Sequence, residues 1–96
     1  MTPELGLVLS EVVCEREKQD AKWGEQNHDP FTYLAVLGEE VGEANQAALQ
    51  AHGWIKGHKS NCWDHEKIKA NYRKELIQVA AVAVAMIECL DRGRWK

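Results

Sequence analysis

The sequence predicts an all-α protein, an antiparallel helical bundle completed by homo-oligomerisation. Apolar residues recur at helical spacing through most of the chain, start and stop signals divide it into three long segments, and no stretch alternates as a strand would. Thr2, Pro3 and Glu4 supply a cap, a first-position proline and an acid suited to the helix dipole. Leu5, Val8, Leu9 and Val12 follow at helical spacing, and this first helix should end before Gly24. Asp29 and Pro30 repeat the start signal, and Leu34, Leu37, Val41, Ala44, Ala48 and Ala51 form one stripe up to Gly53. Residues 53–63, GWIKGHKSNCW, have no clean period and read as a long connection. Asp64 is placed to cap a third helix, in which Ile68, Tyr72, Leu76, Val79, Ala83, Met86, Ile87 and Leu90 keep the period until Gly93.

At 96 residues the chain fits a single domain, residues 1–96, with a modest core. A net charge of -3 and a pI near 5.8 give no general basic footprint, so neither nucleic acid nor an anionic membrane is an expected partner. Cys14, Cys62 and Cys89 are odd in number and widely spaced, which suits free thiols in a reducing compartment. Glu4 and Glu11 precede any basic region, so the N-terminal residues do not read as a signal peptide and a cytoplasmic location is expected.

The segment LIQVAAVAVAMI, Leu76 to Ile87, is apolar at every position except Gln78. A helix of that kind needs cover nearly all round, yet it is too short to span a bilayer. Three helices of one small chain leave part of it open. A homodimer or homotetramer, with a four-helix bundle as the shared architecture, is the expected solution.

The charges raise a separate question. From Trp23 to Ile55 there is no Lys or Arg, while Glu25, Asp29, Glu39, Glu40 and Glu43 all fall there. At 100° per residue Glu40 borders the apolar stripe of its helix, with Glu43 three positions on. Glu75 and Gln78 repeat that spacing on the third helix, beside its own stripe. Antiparallel packing would bring the two pairs together as oxygen donors at the edge of an apolar core. Such a place suits a hard divalent cation, Mg²⁺ or Mn²⁺, as the missing counter-charge.

The motif EEVGE, followed after a loop by ELIQVAAVA and preceded by EREKQDAKWGEQNHDP, resembles the MazG-like all-α nucleoside triphosphate pyrophosphohydrolases. That group carries two acidic helical motifs, EExxE and ExxD, and the likeness covers residues from about Glu15 to Arg92. Two departures stand out. Gln78 occupies the place of the usual Asp, and the interval between Glu43 and Glu75 is longer than usual. The resemblance implies a metal held by Glu40, Glu43, Glu75 and Gln78. It also implies a water, activated at the metal or by Glu39, that attacks the α-phosphorus to release nucleoside monophosphate and pyrophosphate. Lys22, Lys69, Arg73 and Lys74 are candidates to balance the triphosphate. Trp23 offers the base a stacking face, and Gln26, Asn27 and His28 offer it hydrogen bonds.

Plainer readings stand beside these. The acids of EEVGE also suit a solvated helix face, Gln78 a buried amide that fixes an interface register, and Trp23 a packing anchor. A non-catalytic helical oligomer that binds nucleotide or a protein through a degenerate metal site is the competing function. His52, His58, Cys62 and His65 lie in or beside the connection, but their spacing matches no common zinc template, and a His-rich polar loop is the preferred reading. Lys56, His58 and Lys59 there are further candidates to hold phosphate.

Overall fold

The structure, a computed structural model, describes residues 1–55 and 65–95, except for the side chains of residues 54 and 55. It contains three helices, α1 (Pro3–Trp23), α2 (Pro30–Ile55) and α3 (His65–Asp91), and no strand among the described residues. The fourth helix of a four-helix bundle is not among them. The expected cap at Asp64 and most of the 53–63 connection, including Lys56, His58, Lys59 and Cys62, lie outside the described residues.

Local chemistry sets the ends. The Thr2 hydroxyl accepts the Leu5 N–H at 3.1 Å, and Gly24, with φ 73°, closes α1 by donating its N–H to the Asp20 carbonyl. Asp29 caps α2 twice over, accepting the backbone N–H and the hydroxyl of Thr32, each at 2.9 Å. At the far end of α3, Gly93 has φ 72° and donates to the Leu90 carbonyl while Arg94 donates to that of Cys89. These are the paired bonds of a Schellman cap, with glycine at the left-handed position. Gly53 does not stop α2, which continues to Ile55. A glycine inside a helix costs only about 1 kcal/mol relative to alanine, and its neighbours override that.

α3 is the central element. It packs against both α1 and α2, which do not pack against each other. Contacts between α2 and α3 run in opposite senses, since Glu43 and Glu40 lie near Glu75 while His28, just before α2, reaches Cys89. Contacts with α1 rise together, from Glu11 with Arg73 to Arg16 with Glu88, so α1 and α3 point the same way.

The packed face of α2 is turned from the expected stripe. Tyr33, Ala44 and Ala47 are buried and Val36, Leu37 and Glu40 half-buried, whereas Leu34 and Val41 are exposed. With α3 as its one helical neighbour among the described residues, α2 buries a narrow strip, and Glu40 rather than Val41 falls inside it.

A single chain also leaves α3 partly open. Ala81, Val82 and Cys89 are buried, but Leu76, Val84, Ile87 and Leu90 are exposed, as are Leu5, Leu9 and Val13 on α1. The radius of gyration is 15.6 Å, against about 13 Å for a compact domain of 100 residues. Among the described residues no helix is long and apolar enough to cross a membrane.

Candidate metal centre

Glu40 and Glu43 sit three apart on α2, on the edge that meets α3, and the antiparallel course of α3 brings Glu75 alongside. One carboxylate oxygen from each of the three lies within 4.8 Å of the others. No Lys or Arg forms an ion pair with any of them among the described residues. Glu40 and Glu75 are half-buried and Glu43 is exposed. The Glu75 Oε2 atom is buried and has no hydrogen-bond partner among the described residues.

The electrostatic consequences follow from this crowding. Burial pushes the Glu40 carboxyl above its ordinary range, and the charges of Glu43, Glu75, Glu39 and Glu15 push it further. Burial also raises Glu75, helped by its hydrogen bond with Glu43 and by the charge there, with Lys74 partly offsetting them. Negative charge is therefore held against its preference. An orphaned buried oxygen and mutually repelling acids, all oxygen donors, fit a hard divalent cation.

Two clefts share Gln78; Glu40 also lines the first of them, whereas Glu43 and Glu75 line neither. The first, of about 290 Å³, is bounded by Trp23, Gln26, His28, Tyr33, Glu39, Glu40 and Gln78. It gathers most of the base-binding candidates onto the acidic edge. Its volume is near the lower end of the range for small-molecule sites. The second, of about 410 Å³, lies between α1 and α3 and is lined by Glu11, Glu15, Lys18, Arg73, Lys74 and Gln78, among others.

Not every candidate arrives. Lys22 lines neither cleft, and its ammonium sits over the Trp23 ring at 4.7 Å from the centroid. Arg73 lines the second cleft, but Glu11 engages it through both carboxylate oxygens, one bond being 2.7 Å, and this pairing holds Glu11 below its ordinary pKa. Lys69 lines neither cleft. Asn27 is committed to Glu25 and Arg92 rather than to a cleft. His52 lies in the last turn of α2 and His65 begins α3, while the other two members of the His and Cys group lie outside the described residues.

Sequence reasoning passed over Glu15, Lys18 and Gln19 on α1. Glu15 acts electrostatically on Glu40, Lys18 lines the second cleft and Gln19 the first. A signal was present. Glu11, Glu15, Gln19 and Trp23 recur every four residues, a polar row on one face of a helix otherwise judged by its apolar stripe.

The chain matches no family model, no curated protein and no solved structure.

Proposed function

We propose that the protein is a metal-dependent nucleoside triphosphate pyrophosphohydrolase that releases nucleoside monophosphate and pyrophosphate. The observation that carries this reading is the convergence of Glu40, Glu43 and Glu75, with its orphaned oxygen, next to a cleft that Glu40 itself lines. The likeness of EEVGE and ELIQV to the MazG-like motifs points the same way. Mg²⁺ or Mn²⁺, when bound, would neutralise phosphate charge, polarise the phosphoryl group and lower the pKa of a water.

The chain's own residues divide the remaining work. Glu40, Glu43 and Glu75 hold the cation, with the Gln78 carbonyl oxygen as a neutral fourth donor. Glu39, exposed at the mouth of the first cleft, is placed to take a proton from the attacking water. Trp23 stacks on the base while the Gln26 and His28 side chains read its edge. Lys18 and Lys74, which form no ion pair among the described residues, balance the phosphates in the second cleft, with Arg73 shared between Glu11 and that role.

The apolar faces left open by one chain are covered by further copies in a homodimer or homotetramer. Ala81 is fully buried within the chain, whereas Val84 is exposed in a groove beside Leu9 and Val13. Val84→Glu should therefore shift light scattering toward monomer while leaving the helix content intact.

The test is to incubate purified protein with ribo- and deoxyribonucleoside triphosphates and Mg²⁺ or Mn²⁺, and to identify the products. Pyrophosphate with monophosphate is expected. Orthophosphate with diphosphate would point to different chemistry and overturn the pyrophosphohydrolase reading, and no product would overturn the enzyme reading. A second reading is favoured by one observation, that the group shared by both clefts is the uncharged Gln78. On that reading the protein binds nucleotide through a degenerate centre, and binding without turnover would select it.

A further inference from the structure

The bend between α1 and α2, residues 24–29, is held from a distance by the end of α3. Arg92 is the C-cap residue of α3, so the Schellman bonds of Gly93 and Arg94 fix its backbone. Its Nη2 donates to the Gln26 carbonyl at 3.1 Å and to Asn27 Oδ1 at 2.9 Å, and its Nε donates to the same Oδ1 at 3.2 Å. Nε also lies 3.4 Å from a Glu25 oxygen, and Asn27 Nδ2 donates to the other Glu25 oxygen at 2.9 Å. Tyr33, buried on α2, donates its hydroxyl to the Gln26 carbonyl at 3.0 Å, and its ring meets the His28 ring edge-on. Cys89 Sγ reaches the His28 carbonyl at 3.7 Å.

The bonds sort the three polar residues of the bend. The side chain of Asn27 and the backbone carbonyls of Gln26 and His28 are occupied in holding its shape. The side chains of Gln26 and His28 are left to line the first cleft. Arg92 itself lines neither cleft. A guanidinium that donates three bonds in a fixed fork fixes both distance and angle, which a lysine in its place would not do.

We propose that Arg92 is a positioning residue for base recognition, setting the pose of Gln26 and His28 without touching the nucleotide. This rests on the reading of the first cleft as a nucleobase site. It follows that base discrimination depends on a contact made outside the cleft that takes the base.

The experiment measures kcat and KM for four nucleoside triphosphates in wild-type protein, Arg92→Ala, Arg92→Lys and Asn27→Ala, and in the Arg92→Ala/Asn27→Ala double variant. Arg92→Ala should raise KM for the preferred base by roughly tenfold, the order of one charge-assisted hydrogen bond, leave kcat nearly unchanged, and narrow the differences among bases. Arg92→Lys should recover only part of the discrimination. Asn27→Ala should act in the same sense, and the double variant should add little to Arg92→Ala because both break one linkage. If Arg92→Ala fails to fold, Asn27→Ala alone decides, since it leaves Arg92 its contacts with the Gln26 carbonyl and with Glu25. A uniform loss across all bases, a loss confined to kcat, or no change would overturn the positioning role. Wild-type protein that neither binds nor hydrolyses any nucleotide would instead remove the nucleotide reading and this inference with it.

Discussion

The two sides of α3 treat charge in opposite ways. Toward α1, acids and bases are matched: Arg16 bonds Glu88 at 2.7 Å while also reaching Asp20 and Gln19, and Arg73 is clasped by Glu11. Toward α2, Glu75 meets Glu40 and Glu43 with no ion-paired base among the described residues, and Lys74 offsets their charge only in part. The unmatched side thus stores repulsion, and on the proposed reading a bound cation would relieve it.

The largest expected effect comes from abolishing the mismatch. Glu40→Gln and Glu75→Gln keep size while removing charge, so each should reduce pyrophosphate release by at least about 100-fold, beyond the effect of losing an outer-shell partner. The same variants should melt higher than wild type in the absence of metal, because a strained carboxylate has been neutralised. Unchanged turnover in both would show that the unmatched side is a mere surface. Glu88→Gln, on the other side, should leave turnover intact and so provides the control.

A smaller effect, of a few degrees in melting temperature, should appear as pH is varied. Glu40 and Glu75 have pKa values raised by burial and by neighbouring acids, so between the ordinary and the raised value the folded state binds more protons than the unfolded one. Their contribution to stability is therefore present at low pH and falls as pH rises through that window. Glu11 and Asp29 behave oppositely. Arg73 lowers the first and the Thr32 N–H the second, so their contribution is lost only as pH drops below the ordinary carboxylate range. Melting curves from about pH 4 to pH 8 should decline in metal-free protein, and millimolar Mn²⁺ should remove the decline. A decline of equal size with Mn²⁺ present would separate the acids from any cation.

The smallest effect belongs to the matched side. Arg16 is largely covered but Glu88 is 42% exposed, so Glu88→Gln should cost less than about 1 kcal/mol in chemical denaturation. A loss several times larger would mean that this ion pair is buried in an assembly.

Much of this contrast can be read along the chain, because helix ends are local. Thr2, Asp29, Gly24 and Gly93 announce them through caps and a left-handed turn. The approach of Glu75 to Glu40 and Glu43 also follows from i, i+3 spacing and an antiparallel assumption. What spacing does not reveal is which partner helix exists. The stripe through Leu34 and Val41 is the most apolar line on α2, but α3 covers a strip turned toward Glu40, since packing geometry rather than hydropathy chooses the face. Likewise nothing in the spacing of Arg92 says that it reaches across to Asn27, a contact made by chain reversal over 65 positions.

Ala44 and Ala47 lie one turn beyond Glu40 and Glu43, and both are buried. Alanine sets the thinnest spacer that two helices can share without a glycine, so these residues act as a gauge for how near α2 comes to its neighbour. The distance among three oxygen atoms then depends on methyl groups one turn away. A leucine at either alanine would thicken the spacer and open the cluster while every acid remained in place. On the proposed reading, cation affinity would be tuned by bulk as well as by charge, through side chains that carry no donor atoms.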